Sequence, residues 1–164
     1  MPAYNRIRGF EDTCKEHHIP YELMLQDLGY TYETTYVAIR QVFQKIDSTY
    51  SGKKKGVFLS NDTYANIFLN LLFQKYGKLP EDYQIVGFDN SPIANEAILP
   101  ITTIGQQIDK IAKTAMELLI LQMDEMKKRK PIPLENPIHK QITPVLIRRE
   151  TTDSCLEITF TGLI

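Results

Sequence analysis

The chain reads as an α/β fold, a mostly parallel sheet with flanking helices, and three observations predict it. Short apolar runs end in polar pairs at Gly56–Ser60 before Asn61-Asp62, Gln84–Phe88 before Asp89-Asn90, and Leu99–Ile101 before Thr102-Thr103. These runs are nearly continuous rather than alternating, as strands buried on both faces are. The stretches between them carry apolar residues three and four apart, the spacing of a helix with one buried face. Open α/β sheets bind small ligands in a crevice at the carboxyl ends of their strands. The polar pairs therefore predict a pocket for a small polar molecule.

Taken in order, Ile7, Phe10 and Cys14 share one helical face, so a helix is expected almost from Met1, stopped by Pro20. Tyr21–Leu25 reads as a short strand. Thr31 opens a second helix with a capping signal, and Tyr36, Ile39, Val42, Phe43 and Ile46 form its apolar stripe. Ser51–Gly56 is a loop whose Lys53, Lys54 and Lys55 are expected to be solvated. After the first buried strand, Asn61 or Asp62 is placed to cap a helix that turns Ile67, Leu71 and Leu72 inward and ends at a left-handed Gly77. Tyr83–Phe88 is the next strand, Ile93–Ile98 a turn or two of helix, and Pro100–Ile104 is extended. Gln107–Arg129 is the longest helix, with Ile108, Ile111, Ala112, Ala115, Leu118, Leu119 and Met123 on its apolar face. Its basic end, Lys127-Lys128-Arg129-Lys130, suits a helix C-terminus, where cations oppose the macrodipole. Ile138–Ile147 is extended, with Pro144 marking an edge or crossover. The tail from Cys155 alternates like a strand and is a candidate to cover an open sheet edge.

Length and composition restrict the function. At 164 residues the chain suits one domain, or one domain with part of a second. A hydrophobic share of 43% excludes disorder, and a net charge of −1 gives no overall pull toward nucleic acid or membrane. Cys14 and Cys155 stand too far apart in sequence to suggest a metal knuckle or redox pair. No leader and no apolar run near twenty residues is evident, so a cytoplasmic protein is expected.

An enzyme is not expected. His17, His18 and His139 lie away from the predicted strand ends, and no phosphate loop, nucleophile elbow or metal spacing occurs. Asp62 and Asp89 are the one carboxylate pair that acid–base chemistry could use. Binding fits better. Asn61 offers a donor and an acceptor, Asp89 paired acceptors, Arg6 a rigid fork of donors and Gln106 another amide, together a set suited to sugar hydroxyls. Tyr4, Tyr30 and Tyr32 are candidates for an apolar wall. No catalytic residue, metal or cofactor is expected.

Four segments add a resemblance when taken in order. They are Ser60-Asn61-Asp62 with Ala65; Leu79–Asp82 followed by Ile85–Asn90; Leu99–Gln106; and Ile142–Thr152, containing Arg148-Arg149-Glu150-Thr151-Thr152. Upstream, Arg6–Phe10 extends the match. The run resembles the effector-binding domain of LacI-type transcriptional regulators. That resemblance implies a periplasmic-binding-protein-like fold of two lobes with the effector between them. It implies effector contacts at Arg6, Asn61 and Asp89, a cleft-facing Gln106, and an aromatic role for Tyr30 or Tyr32. It further implies that residues 1–100 form a C-terminal lobe lacking its first strand. Residues 101–142 would supply a crossover, helix and strand to an incomplete N-terminal lobe, and 143–164 a return strand and tail. The expected protein is the sensing portion of a sugar-responsive repressor. It would be a homodimer that meets operator DNA only through an N-terminal domain not in this chain, and it would not engage membrane. The same pattern stands behind winged-helix heads of the arabinose-repressor type, so the kind of DNA reader stays open. A solute-binding protein of a sugar transporter and a truncated remnant without its own function are the alternatives. With most of a covering lobe missing, a large apolar patch is expected on the Gln107–Arg129 helix.

Overall fold

The structure, a computed structural model, describes residues 2–24, 29, 31–128, 138–152 and 160–163. Its elements are α1 (Pro2–Glu16), α2 (Tyr32–Thr49), β1 (Lys55–Phe58), α3 (Asp62–Tyr76), β2 (Tyr83–Phe88), α4 (Pro92–Glu96), β3 (Thr102–Gly105), α5 (Ile108–Met126), β4 (Val145–Ile147) and β5 (Phe160–Leu163), with a 3-10 turn at Glu150–Thr152. The strands form one sheet in the order β4-β3-β2-β1-β5. β1 pairs parallel to β2, in register Val57 to Ile85, and β2 pairs parallel to β3, with Val86 opposite Thr102. β5 also pairs parallel to β1, so the tail covers that edge as expected.

Local chemistry sets the element ends. Thr31 caps α2 by accepting from the Thr34 amide, and Thr34 returns a bond to the Thr31 backbone, which completes a capping box. Asn61 caps α3, and Gly77 closes it at φ 72°, where a side chain would be strained. Along β2, Tyr83 and Ile85 turn to one face of the sheet, against α2 and α3. Ile39, Val42, Phe43 and Ile46 of α2 and Phe68, Leu69 and Leu72 of α3 fill that side, with Phe43 edge-on to Phe68 at 5.6 Å. α1 covers the other face: Phe10 stacks on Phe58 at 6.1 Å, and Phe58 meets Phe88 at 6.5 Å.

Three expectations need correcting. Tyr21–Met24 is not a strand; Leu23 makes a single bridge, because a Pro-led stretch this short finds no continuous partner, and Leu25 lies outside the described residues. Lys55 is not solvated like Lys53 and Lys54. It opens β1 with its side chain buried against the Tyr83 ring, and its ammonium donates to Tyr50 O, Lys53 O and Asp82 Oδ2. The extended run from Ile138 reduces to β4, since Pro144 has no amide to give a ladder until Val145.

The chain forms two units, Met1–Ile104 with Leu146–Ile164, and Gly105–Val145. The first holds the core just described. The second contains α5, none of whose residues is buried. Within it, the Gln107 side-chain amide donates to the Thr143 carbonyl.

Candidate functional site

The carboxyl ends of β1 and β2 lie side by side, and α3 and α4 begin just beyond them. β1 continues into Leu59, whose amide reaches Val86 O at 2.9 Å, and so delivers Ser60 and Asn61 beside Phe88 and Asp89. Arg6 reaches across from α1. Its NH1 donates to Ser60 O at 2.5 Å, and its guanidinium lies 4.2 Å from the centre of the Phe88 ring. Arg6 therefore touches the residue before Asn61 and the residue before Asp89. Arg6 thus lies at the same end of the sheet as the segments that carry Asn61 and Asp89.

Asn61 has two uses for one side chain. Its Oδ1 accepts from the Tyr64 amide at 2.9 Å, which fixes the carboxamide plane and leaves the NH2 end as a donor of set direction. Asp62, beside it, is not a pocket carboxylate. It is 1% exposed; Oδ1 accepts from Thr103 Oγ1 at 2.5 Å and Oδ2 from the Ser91 amide at 2.7 Å. It ties the segments that follow β1 and β2 to β3.

Asp89 and Asn90 end β2 with φ of 102° and 52°, two successive non-glycine residues in the left-handed region. Such conformations persist only where the surroundings over-determine them. Here the Asp89 amide donates to Ile104 O at 2.9 Å and the Asn90 amide to Thr103 Oγ1 at 3.3 Å. The Asn90 carboxamide oxygen accepts from Arg149 NH2 at 2.8 Å.

The other predicted residues divide. Tyr32, 64% exposed at the start of α2, stacks with Tyr36. Gln106 follows β3 in the second unit and is half-buried. Tyr30 lies outside the described residues. A cavity of about 830 Å³ opens elsewhere, where Arg40 and Asp47 of α2 face Gln74 and Lys75 of α3, toward the opposite end of the sheet. Sequence reading missed Arg149, Thr151 and Phe88 as parts of the strand-end structure. Arg149 and Thr151 stood in a noted segment, but nothing local says that Thr151 bonds Thr102 and Ile85.

Residues 2–152 match the family model described as a periplasmic binding protein-like domain. The chain belongs to that family. Its relatives include the ribose operon repressor of Halalkalibacterium halodurans, 28% identical over 92% of this chain and 41% of the relative. The HTH-type transcriptional repressor PurR of Vibrio vulnificus is 27% identical over 89% of this chain and 40% of the relative. The chain thus spans about two-fifths of the length of these curated relatives. Among solved structures, a LacI family transcriptional regulator from Enterococcus faecium with bound ribose superposes with TM-score 0.67 at 24% identity, covering 93% of this chain and 52% of that one. A transcriptional regulator CelR–cellobiose complex gives TM-score 0.67 at 21% identity, over 89% and 41%. The periplasmic-binding-protein-like fold accounts for the strand ends: its parallel sheet sets Ser60 and Phe88, which Arg6 touches, at the ends of neighbouring strands. Among the described residues, no helix is long and apolar enough to cross a membrane.

Proposed function

We propose that this chain is the effector-sensing portion of a cytoplasmic, sugar-responsive transcriptional repressor whose DNA-reading part lies outside it. The observation that carries the reading is Arg6, bonded to Ser60 O and laid over Phe88, the residues just before Asn61 and Asp89. A sugar hydroxyl both donates and accepts. The Asn61 NH2, the Asp89 carboxylate and the Arg6 guanidinium offer complementary chemistry for such hydroxyls, and Gln106, Tyr32 and Tyr30 are the further candidate contacts. Residues 1–100 then act as one lobe, 101–142 contribute to the other, and 143–164 return to the first. The complete protein works as a homodimer, and effector binding shifts its population between DNA-competent and DNA-released states. Its partners are the sugar and, through the DNA reader, an operator; it acts on no substrate. The commitment of both Asp62 oxygens to Thr103 and Ser91 supports binding over acid–base catalysis. Ribose is the first effector to test, because the relative at 28% identity is named a ribose operon repressor.

Titration calorimetry of the chain with D-ribose, D-glucose and cellobiose tests the reading, beside Asn61→Asp. Aspartate is as good a cap as asparagine but carries no amide donor. One sugar should bind saturably. Asn61→Asp should weaken it about tenfold, the worth of a good hydrogen bond, while the melting temperature moves by less than about 2 °C. If none of the sugars binds, or if Asn61→Asp binds like the parent, the reading fails.

A further inference from the structure

The second of the two left-handed residues that follow β2 is gripped by an arginine far along the chain. Arg149 lies between β4 and the 3-10 turn. Its NH1 donates to Ile101 O at 2.9 Å and its NH2 to Asn90 Oδ1 at 2.8 Å. The backbone that carries it is itself pinned. The Arg149 amide donates to Thr102 Oγ1 at 2.8 Å, and Thr102 Oγ1 in turn donates to Arg149 O at 3.0 Å. Thr151, wholly buried, receives the Thr102 amide at 2.9 Å and donates to Ile85 O at 2.7 Å. A guanidinium held this way is a rigid planar fork rather than a mobile charge. One tine is set on a strand-end carbonyl and the other on the Asn90 side chain.

The main-chain amides of 89, 90 and 91 are also bound, by Ile104 O, Thr103 Oγ1 and Asp62 Oδ2. Beside these backbone bonds, the one to Asn90 Oδ1 is made by a side chain gripping a side chain. It bears on the residue whose φ of 52° directly follows the φ of 102° at Asp89. Releasing it leaves the turn to its three backbone bonds and leaves the core bonds in place.

We propose that Arg149 is a positioning residue for effector binding: by gripping the Asn90 carboxamide it holds the Asp89–Asn90 turn in its left-handed form and so sets the direction of the Asp89 carboxylate. Arg149 does not touch the effector. The proposal rests on the sugar-binding reading above for the role of Asp89, and on geometry alone for the grip.

The test combines amide exchange without ligand and a mutant cycle with it. Arg149→Lys keeps the charge and loses the fork. Asn90→Gly removes the gripped side chain while adopting φ above zero without strain, which gives a variant that folds even if the arginine variant does not. In the ligand-free chain, Arg149→Lys should speed exchange of the Asp89, Asn90 and Ser91 amides about tenfold, while the core amides of Val57 and Ile85 stay as in the parent. Toward ribose, or whichever of the three sugars binds, Arg149→Lys and Asn90→Gly should each weaken affinity about five- to tenfold. The double variant should be no weaker than either alone, and neither change should matter once Asp89 is alanine. Unchanged turn amides, additive losses, or losses that persist without Asp89 each overturn the proposal. A parent chain that binds no sugar instead overturns the effector reading, and the exchange experiment then decides the grip by itself.

Discussion

Gly87 shows how tightly single residues determine the strand ends. A Cβ there would lie 2.4 Å from Asp62 Oδ1 and 3.4 Å from both the Asp62 Cα and the Ala65 Cβ. The Asp62 carboxylate cannot give way without leaving Thr103 or the Ser91 amide, and it is buried. Gly87→Ala should therefore cost about 2–4 kcal/mol, the sum of overpacking and a buried carboxylate that loses a partner. Urea unfolding reads this directly, and a loss under about 0.5 kcal/mol, the size of an ordinary surface change, would show that the strand ends adjust freely. At this scale the sequence was half legible. Asn61 and Asp89 announced themselves by chemical type at the ends of apolar runs and Arg6 by its fork of donors, and Arg6 touches the residue before each of the other two. Thr102 and Thr103 gave the same signal, yet the structure uses both internally, on Arg149, Thr152 and Asp62. A hydrogen bond between Thr102 and Thr151, 49 residues apart, leaves no periodicity or cap to find.

Elements were more legible than residues, because helix period, caps and turn glycines are local. α2, α3 and β2 fall where their stripes and caps predict, and β5 covers the edge that the alternating tail suggested. Lys55 was misread for the opposite reason: three lysines in a row look solvated, and only the packing of β1 against Tyr83 and Asp82 says which one is not. A second polar knot joins the ends of α2 and α3 to β2. Asp47 accepts from Lys75, from Tyr76 Oη at 2.6 Å and from Tyr83 Oη at 2.9 Å. Burial works to raise the Asp47 pKa, but these three donors outweigh it and hold the carboxyl below its usual range. Burial first, then the bond to Asp47, pushes the Tyr83 phenol far up, so it remains a donor into strong alkali. Because the folded pKa of Asp47 is the lower one, the unfolded chain takes up the proton first as pH falls. The stabilisation is then complete above the unfolded value near about 4 and drains away below it, down to the folded value. Asp47→Asn should cost about 1–3 kcal/mol at pH 7. The gap between parent and variant should shrink as urea unfolding is repeated from about pH 5 toward pH 3. A gap that widens on acidification would contradict this account.

The whole molecule poses a different question, centred on α5. None of the helix is buried: Ile108, Ile111, Leu119 and Met123 of the expected apolar face are 41% to 60% exposed, and Met116, Ile120 and Leu121, outside that face, are 52% to 64% exposed. A helix apolar on most sides is ordinarily an interior one. Apolar surface exposed along a helix favours association. The chain should accordingly self-associate with rising concentration, visible in sedimentation velocity as a growing mean mass over about 1–100 µM. Leu119→Lys, at the centre of the stripe, should raise the concentration needed by about fivefold or more, since a charge desolvated at such a contact is costly. Arg6, Asn61 and Asp89 should not respond, because they belong to the other unit, and Gln106, the one candidate contact in the unit of α5, precedes that helix. Sugar affinity measured well below the association range should therefore match between parent and Leu119→Lys. A chain that stays monomeric throughout would show that the exposed stripe is tolerated in water. Association that ignores the lysine would move the contact to another face.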